Sequence, residues 1–243
     1  MRAAFLRALD ARALSGQPAL LWWRDDDAIE PTPQLDRLLR LSRDRGIPAT
    51  LAVIPAPTGA ALAERLHGLE RISVAVHGWS HQNHAPAGEK KQELGAHRPT
   101  SAVLAEIAAG FARLRGLHGA RLVPVLVPPW NRIAPDVVAG LPGLGFAALS
   151  TFGAPEPAPL AVINTHVDVL DWHGTGGCRA PEALFSDLAR ALDQPDTGAI
   201  GLLSHHLVHD AQAWSFLEDL FDVTQDHPGC RWTSLAALLP PRR

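Results

Sequence analysis

Strand-like and helix-like stretches alternate along almost the whole chain with short connections, and this order constrains the fold more than any other feature of the sequence. Apolar runs at 19–23, 49–54, 72–76, 122–127, 146–149, 160–163 and 199–203 have the length and residue types of buried strands, and 231–233 reads as a terminal one. Helical stretches lie between them. A helix is expected over the first fifteen residues, Leu35, Leu38, Leu39 and Ser42 recur at helical spacing, and 61–69 reads as a third helix. Val103, Leu104, Ile107, Phe111 and Leu114 form one apolar face of a longer helix starting at Thr100. A short helix starts at Pro135, Pro181 opens another as a first-turn proline, and Trp214, Leu217, Leu220 and Phe221 line the last long one. Strands alternating with helices imply a parallel sheet, and seven or eight repeats of the unit favour closure into a barrel. The stretches 85–99 and 153–159, rich in Pro, Gly and Ala, read as loops over the mouth of a site and not as linkers. One α/β domain spanning residues 1–243 is therefore expected.

Charge and composition narrow the function. The net charge is −3 and no basic block occurs, which argues against nucleic acid as a partner. No segment approaches the roughly 20 apolar residues of a membrane span. The start interleaves Arg2, Arg7, Asp10 and Arg12 with apolar residues, the pattern of an amphipathic helix and not of a signal peptide, so a cytoplasmic location is expected. Cys178 and Cys230 are too few for a disulfide framework or a thiolate metal site and are expected as buried thiols.

The chemistry-bearing residues cluster where strands end. Asp25-Asp26-Asp27 follows the 19–23 run, and His77-Gly78-Trp79-Ser80-His81 follows the 72–76 run. Two imidazoles and a carboxylate make an open three-ligand site able to activate water on a divalent ion. Further polar groups recur at the same end of other strands: Arg24 beside the aspartates, Val127-Pro128-Pro129-Trp130-Asn131-Arg132, Asp168-Val169-Leu170-Asp171-Trp172, and Ser204-His205-His206. His84, His166 and His209 lie near these motifs and read as polar rim residues.

In this order the motifs resemble the polysaccharide deacetylase (NodB-homology) family, carbohydrate esterase family 4, over residues 20 to 235. Trp23-Arg24-Asp25-Asp26-Asp27 resembles its T-F-D-D-G motif, His77 to His81 its H-S/T-x-x-H, and Val127 to Asn131 its R-P-P-Y/W-G. Asp168 to Trp172 matches D-x-x-D-W, and His205 matches the histidine that follows an apolar strand. The resemblance implies a distorted (β/α)7 barrel and metal-dependent removal of an acetyl group from an N-acetylated sugar. It implies Asp26, His77 and His81 as metal ligands, Asp25 as general base and His205 as general acid. Arg24, Asp27, Pro129, Trp130, Asn131, Asp168, Asp171, Trp172 and His206 would contact substrate or support these groups, with Asp168 or Asp171 orienting His205. The implied cofactor is one divalent ion, zinc first, with cobalt, nickel or manganese also suited to such ligands.

Three positions depart from the pattern. Asp27 replaces the closing glycine of the first motif, leaving a second register with Asp26 as base and Asp27 as ligand. Val127 replaces the arginine that opens the third motif, a charge that Arg24 or Arg132 could supply. His206 replaces the aspartate that usually follows the last histidine. A small molecule or oligosaccharide is the expected substrate; a linear or cyclic non-sugar amide, and an inactive carbohydrate-binding homologue, are the alternatives.

Overall fold

A computed structural model describes residues 1–194 and 198–241. The chain gathers into two compact units. One comprises Met1–Asp26, Thr32–Thr50 and Thr165–Leu238, and the other is built mainly from Asp27–Pro31 and Leu51–Asn164.

The first unit holds α1 (Arg2–Leu14), most of β1 (Ala19–Ala28), α2 (Pro33–Arg45) and the start of β2 (Ala49–Val53). Most of the second unit follows in sequence: α3 (Ala60–Leu66), β3 (Ile72–His77), α4 (Thr100–His118), β4 (Leu122–Val127), α5 (Pro135–Gly140), β5 (Ala148–Leu149) and β6 (Ala161–Val162). The chain then returns to the first unit with β7 (Val167–Asp168), α6 (Pro181–Asp193), β8 (Ala199–Ser204), α7 (Ala211–Thr224), β9 (Cys230–Trp232) and α8 (Leu235–Leu238).

In the first unit β1 pairs in parallel with both β8 and β9, and β8 pairs in parallel with β7. The register sets Trp23 opposite Leu202 and Asp25 opposite Ser204. Apolar side chains on the helices close the sheet's face: Phe5 of α1 packs on Phe185 of α6, and Phe221 of α7 sits between Trp23 and Trp232. α2 is held at both ends, by the Thr32 side chain accepting from the Leu35 N–H and by Gly46 in the left-handed conformation (φ 67°).

In the second unit the strands run in the order β2, β3, β4, β5, β6. The β3–β4 register shifts between Val74 and Val76, a bulge that re-aims the strand end carrying His77. α4 buries Val103, Ile107, Phe111 and Leu114, and Phe111 stacks on Phe146 at 4.5 Å.

The alternation of strands and helices matches the expectation, with three corrections. β1 does not stop at Trp23 but runs through the acidic residues to Ala28. It continues because neighbouring polar groups satisfy those carboxylates. The strand after Thr165 is Val167–Asp168, inside a stretch read only as following a strand. The runs at 146–149 and 160–163 shrink to two-residue strands. No helix of the described residues is long and apolar enough to cross a membrane. Both cysteines are buried free thiols, as expected, and burial pushes Cys178 up to about 11 and Cys230 up to about 12.

His118, at the end of α4, is buried, and among the described residues neither ring nitrogen has a hydrogen-bond partner. Burial, aided by nearby Arg121, lowers it from 6.5 to about 4. The unfolded chain takes up this proton below 6.5 and the folded chain only near 4, so stability should fall as pH drops across that window and level off below it. His118→Leu is expected to flatten the fall in Tm between pH 7 and 4; an unchanged slope would acquit this histidine.

Candidate metal and acid–base site

The metal-ligand cluster lies within the second unit. Asp27, His77 and His81 each offer a ligand atom, and these atoms all lie within 4.8 Å of one another. His77 ends β3, and its Nδ1 lies 2.9 Å from the Val127 carbonyl. That bond places a proton on Nδ1, and Nε2 faces Asp27 Oδ1 at 3.1 Å. His81 Nε2 approaches the same oxygen at 3.4 Å. Burial and the neighbouring His77 lower the His81 pKa, while Asp27 and Glu93 partly oppose the shift. A neutral imidazole is the ligating form.

The backbone here is bent to suit the site. Asp27 (φ 71°), His81 (φ 58°), Trp130 (φ 54°) and Asn131 (φ 56°) are all left-handed without being glycine, and such conformations cluster at functional sites. Trp130 packs on the His81 ring at 4.3 Å and holds it against rotation. Pro129 is buried in the same short turn. A cavity of about 550 Å³ opens beside Asn131, lined by Leu149, Phe152, Glu156, Pro157 and Pro159.

The first unit holds the remaining polar groups. Arg24 and Asp26 form a buried two-pronged pair, with Nε–Oδ1 at 2.8 Å and Nη2–Oδ2 at 3.0 Å. Arg132, the other candidate for this charge, instead donates to the Lys91 carbonyl. Asp25 is wholly buried and accepts from the Ser204 hydroxyl at 2.6 Å, the His206 N–H at 2.9 Å and the His206 ring. Burial alone would raise its pKa, but the charge and hydrogen bond of His206, with His209 and Ser204, carry it below the ordinary value. Trp23 Nε1 donates to Ser204 and completes this network.

His205 lies edge-on to Trp172 at 4.7 Å, and its backbone N–H donates to His209 Nε2. Among the described residues no group hydrogen-bonds its Nδ1. Asp168 accepts from the Trp172 indole N–H and the Leu170 N–H, each at 2.9 Å. Burial raises its pKa, His205 and these donors partly oppose that, and Asp26 adds to the rise. Asp171 accepts from the Thr175 N–H.

Several of the expected residues keep different company. The carboxylate beside the two histidines is Asp27 and not Asp26, which is the second register. Asp26 turns instead to Arg24, and Asp25 to His206 and Ser204. Asp168 and Asp171 hold Trp172 and a turn, not the ring of His205. His166 is not a rim residue: its Nδ1 accepts from the Gly201 N–H and ties it to β8. Nor is His209, lowered to about 4 by burial. Glu93 and Ser204 belong to these networks and carried no motif; Ser204 was legible only as the residue before His205.

No family model matches the sequence, and no curated protein sequence matches it. Solved structures do. A candidate polysaccharide deacetylase from Mycobacterium smegmatis superposes with TM-score 0.67 at 15% identity, covering 94% of each chain. A family 4 acetyl xylan esterase from Clostridium thermocellum, solved with a cobalt ion, gives 0.55 at 16% identity over 90% of this chain and 89% of that one. The fold is that of carbohydrate esterase family 4. It is the fold class that the motifs imply. A family 4 pseudoenzyme from Bacillus anthracis shares it, with TM-score 0.63 at 14% identity over 93% of this chain and 67% of that one.

Proposed function

We propose that this chain is a single catalytic domain that hydrolyses the acetyl group of an N-acetylated sugar, or a closely related small amide, with a bound divalent ion. The observation that carries the reading is the convergence of Asp27, His77 and His81, with a buried arginine–aspartate pair beginning one residue away on β1. The donor set fits such an ion: one carboxylate and two imidazoles, one of them oriented by the Val127 carbonyl, with no fourth ligand side chain in the cluster among the described residues. A divalent ion held there supplies Lewis acidity, polarising a carbonyl and acidifying water. Zinc is the expected occupant.

Asp26 takes the part of general base in this reading. Its neighbour Arg24 orients the carboxylate through one hydrogen bond and a second close charge contact, in the role of the arginine absent at Val127. His205 gives a proton to the departing nitrogen, because an amine leaves poorly unprotonated. The edge-on Trp172 ring limits rotation of that imidazole. The Trp130 backbone N–H is the candidate for holding the oxyanion, since the Asn131 and Arg132 N–H groups donate to the Pro128 and Pro129 carbonyls. Asp25, enclosed by His206 and Ser204, is assigned a supporting role.

The B. anthracis fold match favours one other reading, an inactive homologue. One experiment decides. Metal analysis should give about one divalent ion per chain, and the loaded protein should release acetate from small N-acetylated sugars. Turnover confined to linear or cyclic non-sugar amides would move the substrate class. A metal-loaded protein inert on every amide would establish the inactive reading.

A further inference from the structure

The turn that carries both histidines is held from behind by a carboxylate remote in sequence. Glu93 lies in a segment without regular secondary structure, yet only 1% of it is exposed. Its Oε1 accepts from the Ser80 N–H at 2.7 Å and the Ser80 hydroxyl at 3.0 Å, and its Oε2 accepts from the Trp79 N–H at 3.2 Å. Both oxygens are thus engaged by residues lying between His77 and His81.

The carboxylate is itself fixed. The Arg98 guanidinium donates to the Glu93 carbonyl at 3.4 Å and is gripped by Glu106 through two bonds of 2.8 Å. Next in sequence, buried Leu94 bridges in parallel to Ile133, and its carbonyl accepts from the Ala134 N–H at 2.9 Å. On the other side of the turn the Trp79 carbonyl accepts from the Ala56 N–H at 2.8 Å, and the Gly78 N–H donates to Val127 at 3.1 Å. Gly78 makes room for this arrangement: at φ 58° a Cβ there would lie 2.0 Å from Glu93 Oε2 and 2.7 Å from Pro129.

We propose that Glu93 is a positioning residue for metal binding, clamping the 78–81 turn so that His81 meets His77 and Asp27 in ligating geometry. The proposal rests on the metal-dependent reading above. The physical reason is the left-handed backbone at His81, which is unfavourable for a side chain with a Cβ and needs its surroundings to hold it. The N–H groups of the two preceding residues point one way, and a single carboxylate satisfies both. Glutamine at this position has the same length but one acceptor oxygen, so it would turn an NH₂ group toward one of the N–H donors.

The test is metal affinity of the purified full chain, with no activity readout. Zn²⁺ binding is measured by competition with a chromogenic chelator, and Co²⁺ binding by its visible absorption bands. Glu93→Gln is expected to weaken Zn²⁺ binding about 10–100-fold, the usual cost of losing a partner that orients ligands. Its Co²⁺ bands should shift as His81 loses its aim, and Glu89→Gln, an exposed change in the same segment, should match the parent. A Glu93→Gln protein that is folded without metal and binds both ions as the parent does overturns the proposal. Should Glu93→Gln not fold, Ser80→Ala carries the test, because it removes one donor and leaves both backbone N–H groups. It should then bind Zn²⁺ a few-fold more weakly at unchanged metal-free Tm, and unchanged affinity overturns the proposal. A parent protein that binds no ion refutes the metal-dependent reading itself, whereas a parent that binds and a folded Glu93→Gln that binds equally refute only the clamp.

Discussion

Asp27→Asn is expected to empty the metal site, whereas Asp26→Asn is expected to leave it loaded and abolish turnover. Asp27 shares one oxygen with the Nε2 atoms of His77 and His81, so removing its charge strips the cluster's anionic ligand. The affinity lost should exceed the roughly 10–100-fold that an outer hydrogen-bonding partner is worth. Asp26 makes its contacts with Arg24. Its loss as a general base should cost about 10²–10⁴-fold in rate. It would also remove one partner charge from the buried Arg24 guanidinium, so Tm should fall. Metal content, turnover and Tm measured on both variants separate these effects. Metal loss from Asp26→Asn with Asp27→Asn still loaded would restore the first register and move the base to Asp25.

His205→Ala should be severely slow on an amide and much less impaired on an activated ester, whose alcohol departs without a proton. An imidazole that only packs against Trp172 would affect both substrates alike. The expected loss on the amide is about 10²–10⁴-fold, the usual contribution of a positioned acid. Equal losses on the two substrates would remove His205 from the mechanism. His206 is a poor substitute, since its ring is buried against Asp25.

The strand–helix alternation was legible because the strands are buried and read as continuous apolar runs, with helical periodicity between them. The extension of β1 was not, because Arg24 to Asp27 look like the end of a strand until their partners are known. Those partners come from residues such as Ser204 and His206, far away in the chain and brought alongside by the β1–β8 register. The histidine pair was readable as spacing. The carboxylate that joins it was left between Asp26 and Asp27, because spacing cannot say which of two consecutive residues faces the imidazoles. Glu93 had no local signal at all: its role rests on which N–H groups the 78–81 turn presents, and that is a property of backbone conformation.

Two departures from the family pattern explain one another. Under the register that the geometry favours, Asp25 falls where the first motif has phenylalanine, and His206 falls where the last has aspartate. The two meet in a buried pair, so a carboxylate gained at one place is answered by an imidazole at the other. Reverting either alone would strand the other without its partner.

β1 carries three aspartates in succession, and each is addressed by a different set of neighbours. A pleated strand works as a ruler, in which each step along the backbone changes the direction in which a side chain is delivered. Side-chain chemistry alone would rank these positions as interchangeable, since the same residue type occupies all three. Their identity lies in the count from Ala19. Deleting a single residue between Ala19 and Trp23 would therefore leave every carboxylate in the protein and misdeliver all of them at once. A changed length before the acidic run should thus cost more than the loss of any one of its carboxylates.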